Sequence, residues 1–156
     1  MLGEMSPAEI EAFLTSEIVA RLGCHSDGRT YVVPITYAYN DGCVIGHSAE
    51  GLKIWMMRAN RDVCVEVDHM DNPANWTCVI ARGRYEELKD DEAQQAMALL
   101  KRRFAPLITS ATAAPSHGTE AYPPDAAGKQ EIPRKKAVVY RIRLTEKSGR
   151  FERRVS

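Results

Sequence analysis

The chain has 156 residues, 44% of them hydrophobic, which is enough for one domain with a core of its own. Basic and acidic side chains number 21 each, so no general electrostatic pull toward nucleic acid or an acidic membrane is present. No basic stretch precedes an apolar run at the N-terminus and no segment is long and apolar enough to cross a bilayer; a cytoplasmic protein is expected, with neither nucleic-acid nor membrane partners.

Ser6-Pro7-Ala8-Glu9 joins a capping hydroxyl, a proline at the first helical position and a glutamate three residues after the cap. A helix therefore starts there, with Ile10, Phe13 and Leu14 on its apolar face. The branched residues from Ile18 to Cys24 predict a strand, Ser26-Asp27-Gly28-Arg29 a turn, and Tyr31 to Tyr39 the returning strand of a hairpin. Pro34 cannot donate a ladder hydrogen bond, so it belongs at an edge, at a bulge, or where the strand stops pairing and faces a ligand. Asn40-Asp41-Gly42 makes a second tight turn into a strand from Cys43 to Gly46. Beyond Gly51, Leu52 to Ala59 reads as a short helix resting on the sheet through Ile54, Trp55 and Met57.

Asp62 to Asp68 alternates with a period of two, His69 to Asn75 is rich in turn formers, and Trp76 to Leu88 is a long strand in which Gly83 marks a bulge or bend. Asp91 to Phe104 begins with acids and ends with Lys101, Arg102 and Arg103, the order that suits a helix dipole. Residues 105–133 exceed the roughly 12 to 15 at which a structureless loop becomes unusual, and read as a lid, a packed arm or disorder. Ala137 to Thr145 returns to strand alternation. About six antiparallel strands with two or three peripheral helices predict a mainly β barrel or sandwich, a single domain over residues 1–156.

Cys24, Cys43, Cys64 and Cys78 form no C-x-x-C pair and sit mostly in strand contexts, as reduced thiols do. Neighbouring strand residues point to opposite faces, so Cys24 and His25 do not readily share a metal ion, and no metal site is expected. His25, His69 and His117 fall in turns or loops, and Arg134, Lys135 and Lys136 read as a solvated or anion-facing edge. Trp55 and Trp76 read first as core or interface anchors, with Trp76 kept as a site candidate.

The sharpest local feature is His47 and Ser48 at a strand tip, followed by Gly51 and by Lys53 in the first turn of a helix. A lysine there opposes the helix dipole by about 0.3 to 1 kcal/mol, which makes sense if an anion sits between it, the hydroxyl and the imidazole. The alternative is that Ser48 caps the helix, His47 bonds locally and Lys53 is solvated.

Four blocks in order, Tyr31-Val32-Val33-Pro34-Ile35-Thr36-Tyr37, Gly46-His47-Ser48-Ala49-Glu50-Gly51-Leu52-Lys53, Asn60-Arg61-Asp62-Val63-Cys64-Val65 and Trp76-Thr77-Cys78-Val79-Ile80-Ala81-Arg82-Gly83, carry a family resemblance. They resemble the pyridoxamine-phosphate-oxidase-related flavoproteins, in particular their nitroimidazole-resistance-like branch. The resemblance implies an FMN-binding split β-barrel homodimer with the cofactor in the cleft between subunits. It implies that His47, Ser48 and Lys53 hold the phosphate, that Val33, Pro34, Ile35 and Thr36 line the ring system with main-chain contacts, and that Trp76, Thr77, Cys78 and Val79 approach it, often from the partner subunit. The activity implied is an oxidoreductase that passes electrons from a reduced nicotinamide to a small nitroaromatic or quinone acceptor; no residue stands out as a catalytic acid, base or nucleophile. Alternatives on the same fold are a deazaflavin-dependent reductase, or a non-catalytic protein that binds flavin, or haem through His47. Gly46 stands where relatives commonly carry an aromatic, Cys78 where many carry serine, and the end from Arg150 to Ser156 does not match the true pyridoxamine phosphate oxidases, which disfavours vitamin B6 oxidation.

Overall fold

A computed structural model describes residues 1–107 and 137–155. In chain order the elements are β1 (Leu2–Glu4), α1 (Pro7–Ser16), β2 (Val19–Ser26), β3 (Arg29–Thr36), β4 (Ala38–Asn40), β5 (Cys43–Ala49), α2 (Leu52–Ala59), β6 (Asp62–Asn72), β7 (Asn75–Glu87), α3 (Asp90–Phe104), a single 3-10 turn (Ala105–Leu107) and β8 (Ala137–Glu152). The capping box that opens α1 is complete: Ser6 Oγ accepts from the Glu9 amide at 3.2 Å, and Glu9 Oε2 accepts from the Ser6 amide at 2.6 Å. Both predicted hairpin turns rest on paired left-handed residues, Asp27 and Gly28 (φ 52° and 73°) and Asp41 and Gly42 (φ 50° and 72°). That geometry matches the twist of the strands on either side.

The strands form one antiparallel sheet in the order β3-β2-β6-β7-β8-β5-β4, with β1 added alongside β8. Leu22, Ile35, Val44, Val65, Val79 and Tyr140, from strands spread across that order, bury into one shared cluster, so the sheet curls around a common interior. It remains open. Its two outermost strands, β3 and β4, are consecutive in the chain and meet at Tyr37. Tyr37 has no exposed surface, its amide donates to Ile18 O at 3.1 Å, and its hydroxyl donates to Leu14 O at 2.6 Å. The ends of the barrel are thus joined by one extended stretch of chain anchored under α1, where a ladder would close them in a complete barrel. On the outside, α3 covers β4 and β5 through Ala96, Leu100 and Phe104, which pack with Ala38 and Ile45.

Pro34 lies on the terminal strand, one of the places its missing donor allows. Gly83 sits at a register shift between β7 and β8, and a Cβ there would stand 2.7 Å from Arg143 O. Only glycine lets the strands approach at this bend.

Several expectations are corrected. The stretch from His69 to Asn75 is mostly strand: β6 continues to Asn72 and β7 begins at Asn75, because cross-strand pairs such as His69 with Thr77 outweigh the turn-forming composition. β8 does not end at Thr145 but runs to Glu152, since the long β7 offers a partner as far as Trp76. β1 was not foreseen; its three residues exist as a strand only through pairing with Glu152, Phe151 and Arg150. β5 extends past Gly46 to Ala49, and Trp55 does not rest on the sheet but is 55% exposed, leaving Ile54, Met56 and Met57 as the buried face of α2. The predicted loop lies outside the described residues beyond Leu107, as do His117, Arg134, Lys135 and Lys136. Among the described residues no helix is long and apolar enough to cross a membrane, and no cluster of three or more His, Cys, Asp or Glu could hold a metal ion.

Removing the Tyr37 hydroxyl leaves the Leu14 carbonyl buried without that donor, so Tyr37→Phe is expected to cost about 1 to 2 kcal/mol in urea unfolding. A loss below roughly 0.5 kcal/mol would contradict the role of this bond in joining the barrel ends.

Candidate functional site

The pairing of β4 with β5 starts at Ala38, opposite Ile45, whereas residues just before it in the chain pair with β2: Thr36 lies opposite Val19 and Ile35 opposite Ala20. The chain therefore changes partner from β2 to β5 at Tyr37, and β3 and β5 are not laddered to each other. Val33, Pro34, Ile35 and Thr36 make one lip of the opening, and the stretch from Gly46 to Ala49 makes the other. Because β3 is terminal, alternate main-chain N–H and C=O groups along it face away from the ladder and are available to a ligand.

His47 and Ser48 are not at a free strand tip, since they pair with Val139 and Val138 of β8. Being consecutive in a strand, their side chains project to opposite faces. Ser48 shares the face of Val138 and the core, is 9% exposed, and donates to Ala49 O at 2.8 Å. His47 shares the face of Val139, and its Nδ1 is enclosed. Ser48 does not cap α2. The cap is Gly51, which offers no side-chain bond to the first turn and has nothing within 4 Å of where a Cβ would stand. The first-turn amides of α2 thus open onto free space beside Lys53, the arrangement that receives an anion. Lys53 also acts across to β2: burial pushes the Cys24 thiol up, and the lysine charge opposes that shift.

The glycine at position 46 has a packing cause. A Cβ there would meet Tyr140 Cζ and Oη at 2.5 Å, and Tyr140 is 1% exposed. The aromatic bulk at this point of the interior comes from the neighbouring strand.

Along β7, Thr77 and Val79 turn inward and are buried, while Trp76 and Cys78 occupy the outer face half-buried. Cys78 Sγ donates to Glu66 Oε1 at 3.6 Å, and Arg21 ties Glu66 (3.3 Å) to Asp68. Burial raises the Glu66 carboxyl, and burial followed by the Glu66 charge pushes the Cys78 thiol up to about 11. Cys78 is consequently a protonated donor at neutral pH, the role a serine hydroxyl would fill at the same place. Cross-strand partners run Pro34, Arg21, Glu66, Ile80 over the outer face. Two strands separate β7 from β3, a distance of about 14 Å at ordinary strand spacing. One chain therefore brings the two lips and Lys53 together but does not bring Trp76, Thr77, Cys78 and Val79 to them.

Arg153 escaped the sequence reading. It donates to Trp76 O at 2.9 Å and Thr77 Oγ1 at 2.8 Å, and its guanidinium lies 5.1 Å from the centre of the Phe151 ring, so the end of the chain is locked onto the start of β7. Its only sequence signal was a basic tail, which carries no information about a partner 77 residues away.

Comparison with known proteins gives this geometry its context. The pyridoxamine 5'-phosphate oxidase family model matches residues 6–151. A FAD-binding protein from Mesorhizobium loti has a similar structure, with 32% identity, a TM-score of 0.70, and coverage of 97% of this chain and 98% of that one. A 5-nitroimidazole antibiotic resistance protein homologue from Bacteroides thetaiotaomicron shares the fold at 19% identity, with a TM-score of 0.66 over 97% of this chain and 87% of that one. An uncharacterized protein of Rhizobium meliloti is 36% identical over 84 residues, 54% of this chain; the match spans little more than half of that relative, 56% of its length. With a family match over nearly its whole length and an open antiparallel barrel of the same kind, this chain belongs to the pyridoxamine 5'-phosphate oxidase-like family.

Proposed function

We propose that the chain is a homodimeric flavoprotein that holds FMN between the lips of its split barrel and acts as an oxidoreductase. The observation that carries this reading is the full-length similarity, at 32% identity, to a FAD-binding protein. The α2 N-terminus supports it: uncapped amides, open space at Gly51 and the Lys53 cation suit a phosphate. In this reading Lys53, the α2 amides and the neighbouring His47 and Ser48 hold the phosphate end. The outward main-chain groups of Thr36 and the Pro34 carbonyl meet the polar edge of the ring system, Val33 and Ile35 bond back to β2 and hold the lip in place, and the Pro34 ring offers an apolar contact without a competing donor.

Trp76, Thr77, Cys78 and Val79 lie too far from the lips of their own barrel, so a second copy supplies them, with the Cys78 thiol as a neutral donor. Flavin, when bound, supplies transfer of a hydride from a reduced nicotinamide and of electrons to a small nitroaromatic or quinone acceptor. The protein's own part is to bind, orient and exclude water.

Two measurements test this. Lys53→Ala is expected to weaken FMN binding about tenfold in a titration that follows flavin fluorescence, whereas Lys89→Ala, at the exposed cap of α3, leaves it unchanged. Equal losses would contradict the phosphate assignment. If each site takes residues from both chains, Lys53→Ala and Trp76→Ala variants that each bind poorly are expected to recover one intact site in every mixed dimer when co-expressed; no recovery would place the whole site within one chain.

A further inference from the structure

Five glycines lie within the described strands, and four of them are hemmed in by the chain itself: a Cβ at Gly3, Gly46, Gly83 or Gly149 would stand 2.4 to 2.7 Å from a neighbouring atom. Gly23, on β2, is different. A Cβ there would meet only Cys64, at an ordinary 3.7 Å, so nothing in the chain's own packing requires glycine at that point. Glycine weakens a strand, and inside one it marks a place where another backbone or a ligand approaches closely. Gly23 lies on the outer face of the sheet, in a hollow of about 790 Å³ whose lining includes Arg21, Val32, Cys64, Glu66 and Arg82. Val32 is 62% exposed, and Cys64 is exposed as well.

Two rows of cross-strand partners cross this face. One runs Pro34, Arg21, Glu66, Ile80 and the other Val32, Gly23, Cys64, Arg82, each taking β3, β2, β6 and β7 in turn. In the two-chain reading of the cofactor site, β3 of each chain lies opposite β7 of its partner. A two-fold axis meets that demand at both sites at once when it runs along the strands midway between them, over the line that separates β2 from β6. Each row then faces its own reverse. Arg21 falls opposite the partner's Glu66, Gly23 opposite the partner's Cys64, Val32 opposite the partner's Arg82 and its apolar stem, and Pro34 opposite the partner's Ile80. Ile80 is 50% exposed in one chain. The face is thus complementary to itself: cation meets carboxylate, apolar side chain meets apolar side chain, and the missing side chain at Gly23 leaves room for a thiol. Within one chain Arg21 bonds Glu66 at 3.3 Å and Asp68, both through Nη1, which leaves the other guanidinium donors for a second carboxylate.

We propose that a second copy of this chain docks on this face, with the two-fold axis between β2 and β6 and Gly23 seated against the partner's Cys64. The position of the axis rests on the two-chain reading of the cofactor site; the glycine without an internal cause and the exposed Val32 and Ile80 stand apart from it.

Sedimentation equilibrium of the full chain tests the proposal, with flavin content read separately from visible absorbance. A dimer is expected. Gly23→Leu, which the chain's own packing admits, is expected to weaken it about a hundredfold while far-UV circular dichroism stays unchanged. Arg21→Glu and Glu66→Arg each set like charges opposite one another and are expected to weaken self-association to a similar degree, about a hundredfold. A mixture of these two variants is expected to dimerise again, because each substituted residue then faces an opposite charge in the other chain. In the unaltered protein, Cys64 is expected to resist maleimide, with its labelling located by peptide mass, until urea unfolds the chain. A dimer that Gly23→Leu leaves intact, folded charge variants that do not recover on mixing, or rapid labelling of Cys64 in the native protein would each overturn the proposal. So would an unaltered chain that stays monomeric, which would leave the face to a different partner. A dimer without flavin upholds the docking face while the flavin reading fails, and a monomer that carries flavin does the reverse.

Discussion

Tyr37 sets the shape from which the rest of this structure follows. A single residue joins the two outermost strands of the sheet, and its hydroxyl is held by a carbonyl of α1. Because the chain changes partner from β2 to β5 at that residue, the barrel has an opening where main-chain groups of one strand go unused by the ladder. A closed ladder would bury those groups. The opening follows from that one change of strand partner.

The second constraint is separation. The outer-face row from Pro34 through Arg21 and Glu66 to Ile80 keeps β7 away from the lips, although the family resemblance assigns both to one cofactor. The proposed two-chain site reconciles the two. The residues on β7 are prepared for a contact of this kind: Arg153 secures the backbone at Trp76, and Glu66 and burial keep Cys78 protonated. A segment that meets a ligand from another subunit has to hold its own geometry before the ligand arrives.

Features legible in the sequence were those whose cause is local. The capping box of Ser6 and Glu9, the Asp-Gly turns and the bend at Gly83 each depend on the conformational preferences of a few adjacent residues. Features that were not legible depend on distant pairing. Residues 146–152 show no clean alternation, but they form a strand because β7 lies beside them, and β1 forms because β8 does. The exposure of Trp55 went unread because its neighbours Ile54, Met56 and Met57 account for the whole buried stripe of a two-turn helix. Of the candidate site, the ordered motifs nominated the residues, but the extension of β5 that sends His47 and Ser48 to opposite faces, and the distance of Trp76 from the lips, required the sheet order.

The most direct test of the account is the visible absorbance spectrum of the protein as purified, with the mass of any cofactor released by denaturation. The account predicts the two bands of oxidised flavin and the mass of FMN. A Soret band in their place, or colourless protein that takes up no added FMN, would contradict it.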